Sequence, residues 1–179
     1  MGIPAVDPTA GSPLLRIGAR LTGNSAGRWL TRRVAPRVDR QLLRLTRGRL
    51  SSAVVTPELL LVCAGARTGR RRTTPLTYFT DGGRVIVVAS NYGGSRHPAW
   101  YYNVLANPRV TISAAGYTGT FVGHEVTGAE RDRLWNLAKA FIPSYAEYAR
   151  LAGERTIPVL ALTETARRRR RRRPRPATP

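Results

Sequence analysis

Residues 59–89 read LLLVCAGARTGRRRTTPLTYFTDGGRVIVVA and contain three apolar, β-branched runs separated by two glycine-containing turns. Short runs bounded by turn residues are typical of β-strands, and they place strands at 59–64, 73–80 and 84–89. The Asp-Gly-Gly sequence at 81–83 predicts a hairpin between the second and third strands. This stretch therefore predicts an antiparallel meander.

The same reading of the downstream sequence extends the meander to about six antiparallel strands with short helices between them. Further strands are predicted at 109–113, 118–126 and 156–163, and helices at 98–106, 127–140 and 143–151. Thr127, with Glu130 three positions later, predicts a capping box at the start of the second helix. No βαβ alternation is present, so a Rossmann sheet is not expected. The fold class is α+β, mainly β, a closed or half-closed barrel.

Composition divides the chain into four segments. Residues 1–12 form a flexible N-terminus, 13–50 a basic amphipathic helical extension, 51–165 the barrel domain, and 166–179 a disordered arginine-rich tail. In the extension, apolar residues recur every three or four positions and the arginines fall mainly elsewhere around the helix. Such a helix packs its apolar face on the domain or lies on an anionic membrane surface, and the sequence leaves both open.

The chain is strongly basic, with 30 Lys+Arg against 10 Asp+Glu and a formal net charge of +20. Lys139 is the single lysine, so nearly all of the positive charge is guanidinium, which matches phosphate and carboxylate groups with paired donors. A GC-rich genome would explain the arginine bias equally well. The run at 167–175 has no role that the sequence reveals.

Ionisable groups suited to direct catalysis are scarce. The single cysteine, Cys63, lies in an apolar run and is best explained as a small buried side chain. It cannot form an intramolecular disulfide, and no signal peptide or membrane span is evident, so we expect a cytoplasmic protein. His97 and His124 have no cysteine partners, so no metal site is expected. Redox chemistry on a bound cofactor fits this composition.

Two segments suit a large anionic ligand that carries a planar ring. In the turn at 65–75, Gly69 permits positive φ, and Arg67 and Arg72 flank it, although such turns are also common on solvated surfaces. The segment 90–103 places Ser90 at the rim of the barrel and continues into an aromatic helix with planar faces. That helix could equally be an ordinary buried one, and a lone histidine such as His97 is more often structural than catalytic.

Tyr145 and Tyr148 lie three positions apart, and therefore on one face of the third helix. Two phenols on one face can line a pocket and donate hydrogen bonds to an acceptor. They can equally be core residues, and the spacing favours neither interpretation.

The order and spacing of these motifs resemble the deazaflavin-dependent nitroreductase family of actinobacteria, over roughly residues 55–164. The motifs are RTG at 67–69, RTTPL at 72–76, DGGR at 81–84, VASN at 88–91, HPAWYYN at 97–103, ANP at 106–108, PSY at 143–145 and IPV at 157–159. The resemblance implies a split β-barrel that binds coenzyme F420, an 8-hydroxy-5-deazaflavin with a phospholactyl-polyglutamate tail. It also implies hydride transfer from the reduced coenzyme to quinones, nitroaromatics or other electron-poor acceptors.

Carried over position by position, the resemblance implies a cofactor site in two parts. The tail would lie on Ala66, Arg67, Thr68, Arg72, Thr73, Thr74, Pro75, Leu76 and Thr77. The ring would lie along Val88, Ala89, Ser90, Asn91, Ala99, Trp100, Tyr101, Tyr102 and Asn103, with Tyr145 closing over it. Ser90, Tyr145 and Tyr148 would be the catalytic residues, which position the acceptor and stabilise charge developing on its oxygens.

The chain departs from the family pattern near the expected acceptor site. Asn91 and Tyr92 stand where relatives often carry Lys-Gly, and Ile142 stands where close nitroreductase relatives often place a tyrosine. Whether nitroaromatics are reduced therefore stays open.

Two other functions remain as alternatives. One is an FMN-binding split-barrel reductase, since a flavin phosphate would suit the same arginines. The other is a basic protein that binds nucleic acid or a membrane surface through its helical extension and tail, which the sequence favours less. A quinone reductase could also combine the barrel with peripheral contact at an anionic membrane. The family type is known as monomer and as homodimer.

Overall fold

Six strands and three helices are present in the computed structural model, which describes residues 2–9 and 56–165. The strands are β1 (Glu58–Ala64), β2 (Arg71–Asp81), β3 (Arg84–Val88), β4 (Arg109–Ala114), β5 (Tyr117–Val126) and β6 (Val159–Glu164). The helices are α1 (Ala99–Ala106), α2 (Gly128–Phe141) and α3 (Ser144–Ala152). The predicted extension at 13–50 and the predicted tail at 166–179 lie outside the described residues.

The strands close into an antiparallel barrel in the order β1-β2-β3-β6-β5-β4. Closure occurs at β1, where Leu61 lies opposite Thr74 of β2 on one side and Ile112 of β4 on the other. A closed barrel leaves no free strand edge. The predicted barrel of six antiparallel strands is confirmed.

Alternation along the strands builds two apolar layers. Leu59, Val85 and Leu162 belong to the layer inside the barrel, where Val104 of α1 also packs. Residues of opposite parity on β3 and β6, such as Ile86 and Ala161, face outward and are covered by α2 and α3. The barrel is therefore filled on the inside and shielded by helices on one outer side.

Two details of the sequence prediction are wrong. The last strand begins at Val159 rather than at position 156, because Pro158 has no N–H to donate to a ladder. Thr127 does precede α2, but its side chain forms no capping hydrogen bond. Instead of completing a capping box, Glu130 accepts a hydrogen bond of 2.7 Å from Arg84, which ties α2 to the β2–β3 hairpin.

Residues 2–9 lie beside β2. The Val6 N–H donates to the Thr80 hydroxyl at 2.8 Å, and the Thr80 N–H donates to the Val6 carbonyl at 2.9 Å. Ile3 and Val6 also pack against the apolar layers. The flexibility predicted for 1–12 stays a prediction, but this docking was not indicated by the Pro- and Gly-rich composition.

The topology brings three connections to one end of the barrel. Neighbouring strands run antiparallel, so β1 and β3 end where β2, β4 and β6 begin. The turn at 65–70, the connection at 89–108 and the connection at 127–158 therefore all leave from that end. The two hairpins, at 82–83 and 115–116, lie at the other. All three segments that the sequence analysis selected for chemistry thus share one end.

Candidate functional site

The turn between β1 and β2 is closed by its own backbone. Gly69 has φ +63°, as its predicted role requires. The Gly65 N–H donates to the Arg70 carbonyl at 2.9 Å, and the Gly69 N–H donates to the Gly65 carbonyl at 2.8 Å. These two N–H groups are therefore used within the turn. An anion at this turn would therefore be met chiefly by the arginine side chains.

Four exposed arginines lie in this turn and in the first two residues of β2, at positions 67, 70, 71 and 72. We call residues 65–72 the basic turn. No carboxylate among the described residues forms an ion pair with any of them. Within residues 2–9 and 56–165 the turn therefore presents concentrated positive charge without a carboxylate counter-ion, which suits a phosphate or carboxylate ligand.

Arg109 adds a further positive charge at this end, and the sequence analysis missed it. It is exposed and begins β4, which pairs with β1. The Asn107 side chain donates to the Ala64 carbonyl at 3.5 Å, so the start of β4 lies next to the basic turn. The antiparallel pairing of β1 and β4 was the missing signal.

Asn103 links the basic turn to α1. Its side-chain oxygen accepts a hydrogen bond of 2.9 Å from the Ala66 N–H. Burial raises the pKa of the Cys63 thiol above its ordinary value, and this outweighs the opposing effect of the neighbouring Asn103 side chain. A buried thiol with a raised pKa is a poor nucleophile, which agrees with the expected structural role of Cys63.

The segment after β3 adopts a strained conformation. Asn91, Tyr92 and Gly93 all have positive φ, at 49°, 52° and 73°. This region is disfavoured for a residue as bulky as tyrosine. The Asn91 side chain donates to the Arg96 carbonyl at 2.8 Å and braces the loop from within. We call residues 90–97 the ring loop, because they include part of the predicted ring site.

Arg155 contacts the ring loop at three points. Its Nε donates to the Gly94 carbonyl at 2.8 Å, and its Nη2 donates to the Ser90 carbonyl at 2.7 Å. Its Nη1 lies 3.0 Å from Nδ1 of His97. The sequence analysis missed Arg155, because these contacts span 58 to 65 positions along the chain.

The aromatic residues of α1 divide between core and surface. Trp100 and Tyr101 are buried in the inner layer, whereas the side chain of Tyr102 is 50% exposed. Tyr101 donates to a Glu125 carboxylate oxygen at 2.6 Å, and burial, together with this carboxylate, raises the pKa of Tyr101 to about 12. The alternative of a buried aromatic helix thus applies to the first two residues, and Tyr102 is left with an accessible face.

The two tyrosines of α3 lie in different surroundings. The ring of Tyr148 is 5.8 Å from that of Tyr92, which puts it beside the ring loop. Tyr145 is buried 6.0 Å from the Trp135 ring, in the layer between the barrel and α2. Burial, the largest cause, raises the pKa of Tyr145, so its hydroxyl stays protonated at neutral pH. Ile142 packs against the same layer.

The remaining predicted tail residues lie along β2. Thr73 is buried and positions 74–77 are partly buried, so the arginines are the accessible part of this strand. The predicted ring residues Val88 and Ala89 are buried where β3 ends, and Ala99 is exposed at the start of α1. Val88, Ala89 and Ala99 lie at the end of the barrel that carries the basic turn. Positions 74–77 instead run along β2 away from that end, and Thr77 lies opposite Glu58 at the start of β1.

Other candidate sites lie elsewhere or are not found. A cleft outside the barrel is lined by Arg131, Trp135 and residues 153–157, and it contains none of the predicted site residues. Within residues 2–9 and 56–165, no three His, Cys, Asp or Glu side chains cluster as metal ligands. No helix in that part of the chain is long and apolar enough to cross a membrane.

The described site fits an anionic cofactor with a planar ring. Guanidinium groups that have no carboxylate partner among the described residues would meet the anionic part. The helix α1 connects them to the ring loop through Asn103 at one point and through Tyr101 at another. The rings of Tyr101 and His97 lie 4.9 Å apart.

Comparison with known proteins points to one family. The family model of F420H(2)-dependent quinone reductases matches residues 35–164. An F420H(2)-dependent quinone reductase of Mycobacterium tuberculosis is 36% identical over 147 residues, covering 76% of this chain and 96% of that protein.

Two solved structures agree with this result. One, described as an F420-H2 dependent reductase, is 36% identical and covers 59% of this chain and 93% of its own, with a TM-score of 0.55. Another, described as a domain-swapped dimer, is 34% identical and covers 68% and 93%, with a TM-score of 0.56.

Proposed function

The chain belongs to the F420H(2)-dependent quinone reductase family, and on this basis we propose that it is an oxidoreductase that passes a hydride from reduced coenzyme F420 to a quinone. The observation that carries the proposal is the basic turn, whose four exposed arginines lack carboxylate partners among the described residues. The turn is joined through Ala66 and Asn103 to the helix that packs against the ring loop. An anionic tail and a planar ring can be held at the same time.

In this proposal each part of the site has a separate task. Arg67 and Arg72 bind the phosphate and glutamate groups, and residues 73–77 continue from Arg72 along β2 as the further predicted contacts of the tail. The deazaflavin ring lies along residues 88–91 and α1. The exposed face of Tyr102 offers stacking area next to the ring loop.

The coenzyme, when bound, supplies the hydride. The chain's own residues orient the acceptor and stabilise the negative charge that develops on it. Ser90 lies two residues after the end of β3, and its carbonyl accepts a hydrogen bond from Arg155, which fixes the backbone that carries its hydroxyl. Tyr148 lies beside the ring loop and is the nearer of the two α3 phenols to an acceptor there. Tyr145 supports Tyr148 from the buried layer, their rings 6.1 Å apart.

Binding of the coenzyme is tested by titration. We expect the full coenzyme to quench the fluorescence of Trp100 and to bind more tightly than FMN. The double variant Arg67→Ala, Arg72→Ala should lose about tenfold or more in affinity, since hydrogen bonds to charged groups are worth roughly 1.5–3 kcal/mol each when well formed. Its affinity for a deazaflavin chromophore that lacks the tail should be unchanged.

The matched control is Arg133→Ala, Arg150→Ala, which removes the same charge from α2 and α3. If both double variants lose affinity equally, the effect is one of net charge and the tail site is refuted. Preference for FMN over the deazaflavin would support the flavin alternative instead.

The acceptor is tested with the reduced coenzyme in excess. We expect soluble quinones to reoxidise it, and Ser90→Ala with Tyr148→Phe to lower kcat by more than they change KM for the coenzyme. Ile142→Tyr tests the nitroaromatic question, because it restores the residue often found in nitroreductase relatives. Equal turnover of nitroaromatics by the wild type and by Ile142→Tyr would show that Ile142 does not control acceptor choice.

We further propose a cytoplasmic location with peripheral contact at an anionic membrane, since quinones are often lipid-soluble. The basic extension at 13–50 is the segment that would dock. Flotation of the full chain with anionic vesicles, but not with neutral vesicles or at high salt, is the expected result. Salt-sensitive binding to DNA with no binding to vesicles would favour the nucleic-acid alternative. Light scattering would distinguish monomer from homodimer.

A further inference from the structure

Arg155 is unusual among the charged residues of the described chain. It lies in the connection between α3 and β6, is partly buried, and forms no ion pair with a carboxylate of the described residues. Burial of the guanidinium lowers the pKa of Arg155, but the group stays charged because its ordinary value is 12.5. A buried charge that lacks a counter-ion must be stabilised by hydrogen bonds.

Those hydrogen bonds all go to one target, the ring loop. Two of them end on the carbonyls of Ser90 and Gly94, and therefore span the three consecutive left-handed residues between them. Left-handed backbone persists at a non-glycine residue only where the surroundings hold it. A planar guanidinium fork can hold two carbonyls at a fixed separation.

The third contact, between Arg155 and His97, determines which ring nitrogen of His97 carries the proton. Arginine has donors and no acceptor, so Nδ1 of His97 must accept the hydrogen bond from Nη1. A neutral imidazole that accepts at Nδ1 carries its proton on Nε2. The groups that face this ring are Arg155 and Glu125, with the rings of Tyr101 and Tyr102 packed against it.

We propose that Arg155 is a positioning residue, which holds the ring loop in its left-handed conformation and keeps His97 neutral with its proton on Nε2, ready for the cofactor ring. The inference rests on the proposed function for the identity of the ring. The contacts themselves do not depend on it.

The consequence for binding is specific. Loss of the Arg155 hydrogen bonds releases the ring loop without touching the basic turn, so ring affinity falls while the tail contacts remain. Arg155→Gln should weaken binding of the tail-less deazaflavin chromophore by about tenfold and should weaken the full coenzyme by a similar factor. Arg67→Ala with Arg72→Ala should instead affect the full coenzyme alone.

The decisive readout is NMR of the histidine rings, which needs no cofactor. The chain has only two histidines, and the exposed His124 is an internal reference. In the wild type we expect His97 to show the Nε2–H form, with burial and Arg155 holding the pKa of His97 below its ordinary value of 6.5. In Arg155→Gln the two tautomers of His97 should mix, and the pKa of His97 should rise toward its ordinary value, because the charge of Arg155 is lost.

Arg155→Lys supplies the conservative comparison, because it keeps the charge but offers a single nitrogen. In Arg155→Lys the pKa of His97 should stay close to its wild-type value, whereas the affinity for the tail-less deazaflavin chromophore should fall. The proposal is overturned if His97 of the wild type carries its proton on Nδ1, a result that can be obtained without any variant. It is also overturned if the tautomer of His97 is unchanged in Arg155→Gln. If the wild type shows the Nε2–H form but binds no deazaflavin, the proposed function fails and the role of Arg155 stands.

Discussion

Gly93→Ala perturbs the contact between the ring loop and α3 at its tightest point. Gly93 has φ +73°, and a Cβ added there would lie 2.6 Å from Cβ of Leu151 and 2.9 Å from the Tyr148 carbonyl oxygen. These are backbone atoms and a first side-chain carbon, so no flexible side chain can simply turn away. Either the ring loop or α3 must move.

The expected loss of stability in Gly93→Ala has two parts. A left-handed alanine costs about 1–2 kcal/mol relative to glycine, and forcing a methyl group into a packed contact costs about 1–3 kcal/mol more. Gly83→Ala isolates the first part, because Gly83 has φ +75° and nothing within 4 Å of the added Cβ. Gly93→Ala should therefore be less stable than Gly83→Ala by about 1–3 kcal/mol.

Urea unfolding followed by tryptophan fluorescence measures this difference directly. Binding of the tail-less deazaflavin chromophore should also fall in Gly93→Ala and stay unchanged in Gly83→Ala. Equal stability of the two variants would refute the reasoning, because it would mean that the ring loop and α3 are not rigidly packed.

Gly123→Ala places a methyl group 2.5 Å from Leu162 inside the barrel, and calorimetry should show a loss of about 1–3 kcal/mol with the coenzyme affinity retained. Asp81→Asn removes a carboxylate whose pKa is held below its ordinary value of 3.8, chiefly by hydrogen bonds from Arg133. A lowered pKa stabilises the fold above pH 3.8, so Asp81→Asn should cost up to about 1 kcal/mol at neutral pH, and the difference should vanish as pH falls below that value. Asp132→Asn removes the same charge from an exposed position and should change stability little. A loss of stability in Asp81→Asn that stays the same at low pH would contradict the ion-pair explanation.

The barrel was predictable because its strands are defined locally. Alternation, the glycine turns and the proline at 158 are each read within about ten residues, and they gave six strands at nearly the observed positions. The same local reading placed the basic turn and α1, although it could not show that Trp100 is buried while Tyr102 is half exposed. Side-chain exposure on a short helix depends on what packs against it, which local sequence does not specify.

The parts that escaped prediction all depend on contacts distant in sequence. Arg155 reads as an ordinary charged residue before a strand, and Glu130 reads as a capping residue until Arg84 competes for it. The docking of residues 2–9 on β2 joins positions about 74 apart. In such pairs, the sequence around one residue does not show which distant residue it contacts.

The fold by itself brings the three connections to one end but does not make them a site. That requires links between them, and the described structure has several, among them the Ala66–Asn103 hydrogen bond, the Arg155 contacts, and the packing of Tyr92 on Tyr148. The first joins the basic turn to α1, and the other two join the ring loop to the α3 side. Changes at 91–92 or 142 are therefore expected to affect the proposed acceptor side while the basic turn is left intact. On this proposal, the chain can depart from the family pattern near the acceptor and still keep the elements expected to bind the coenzyme tail.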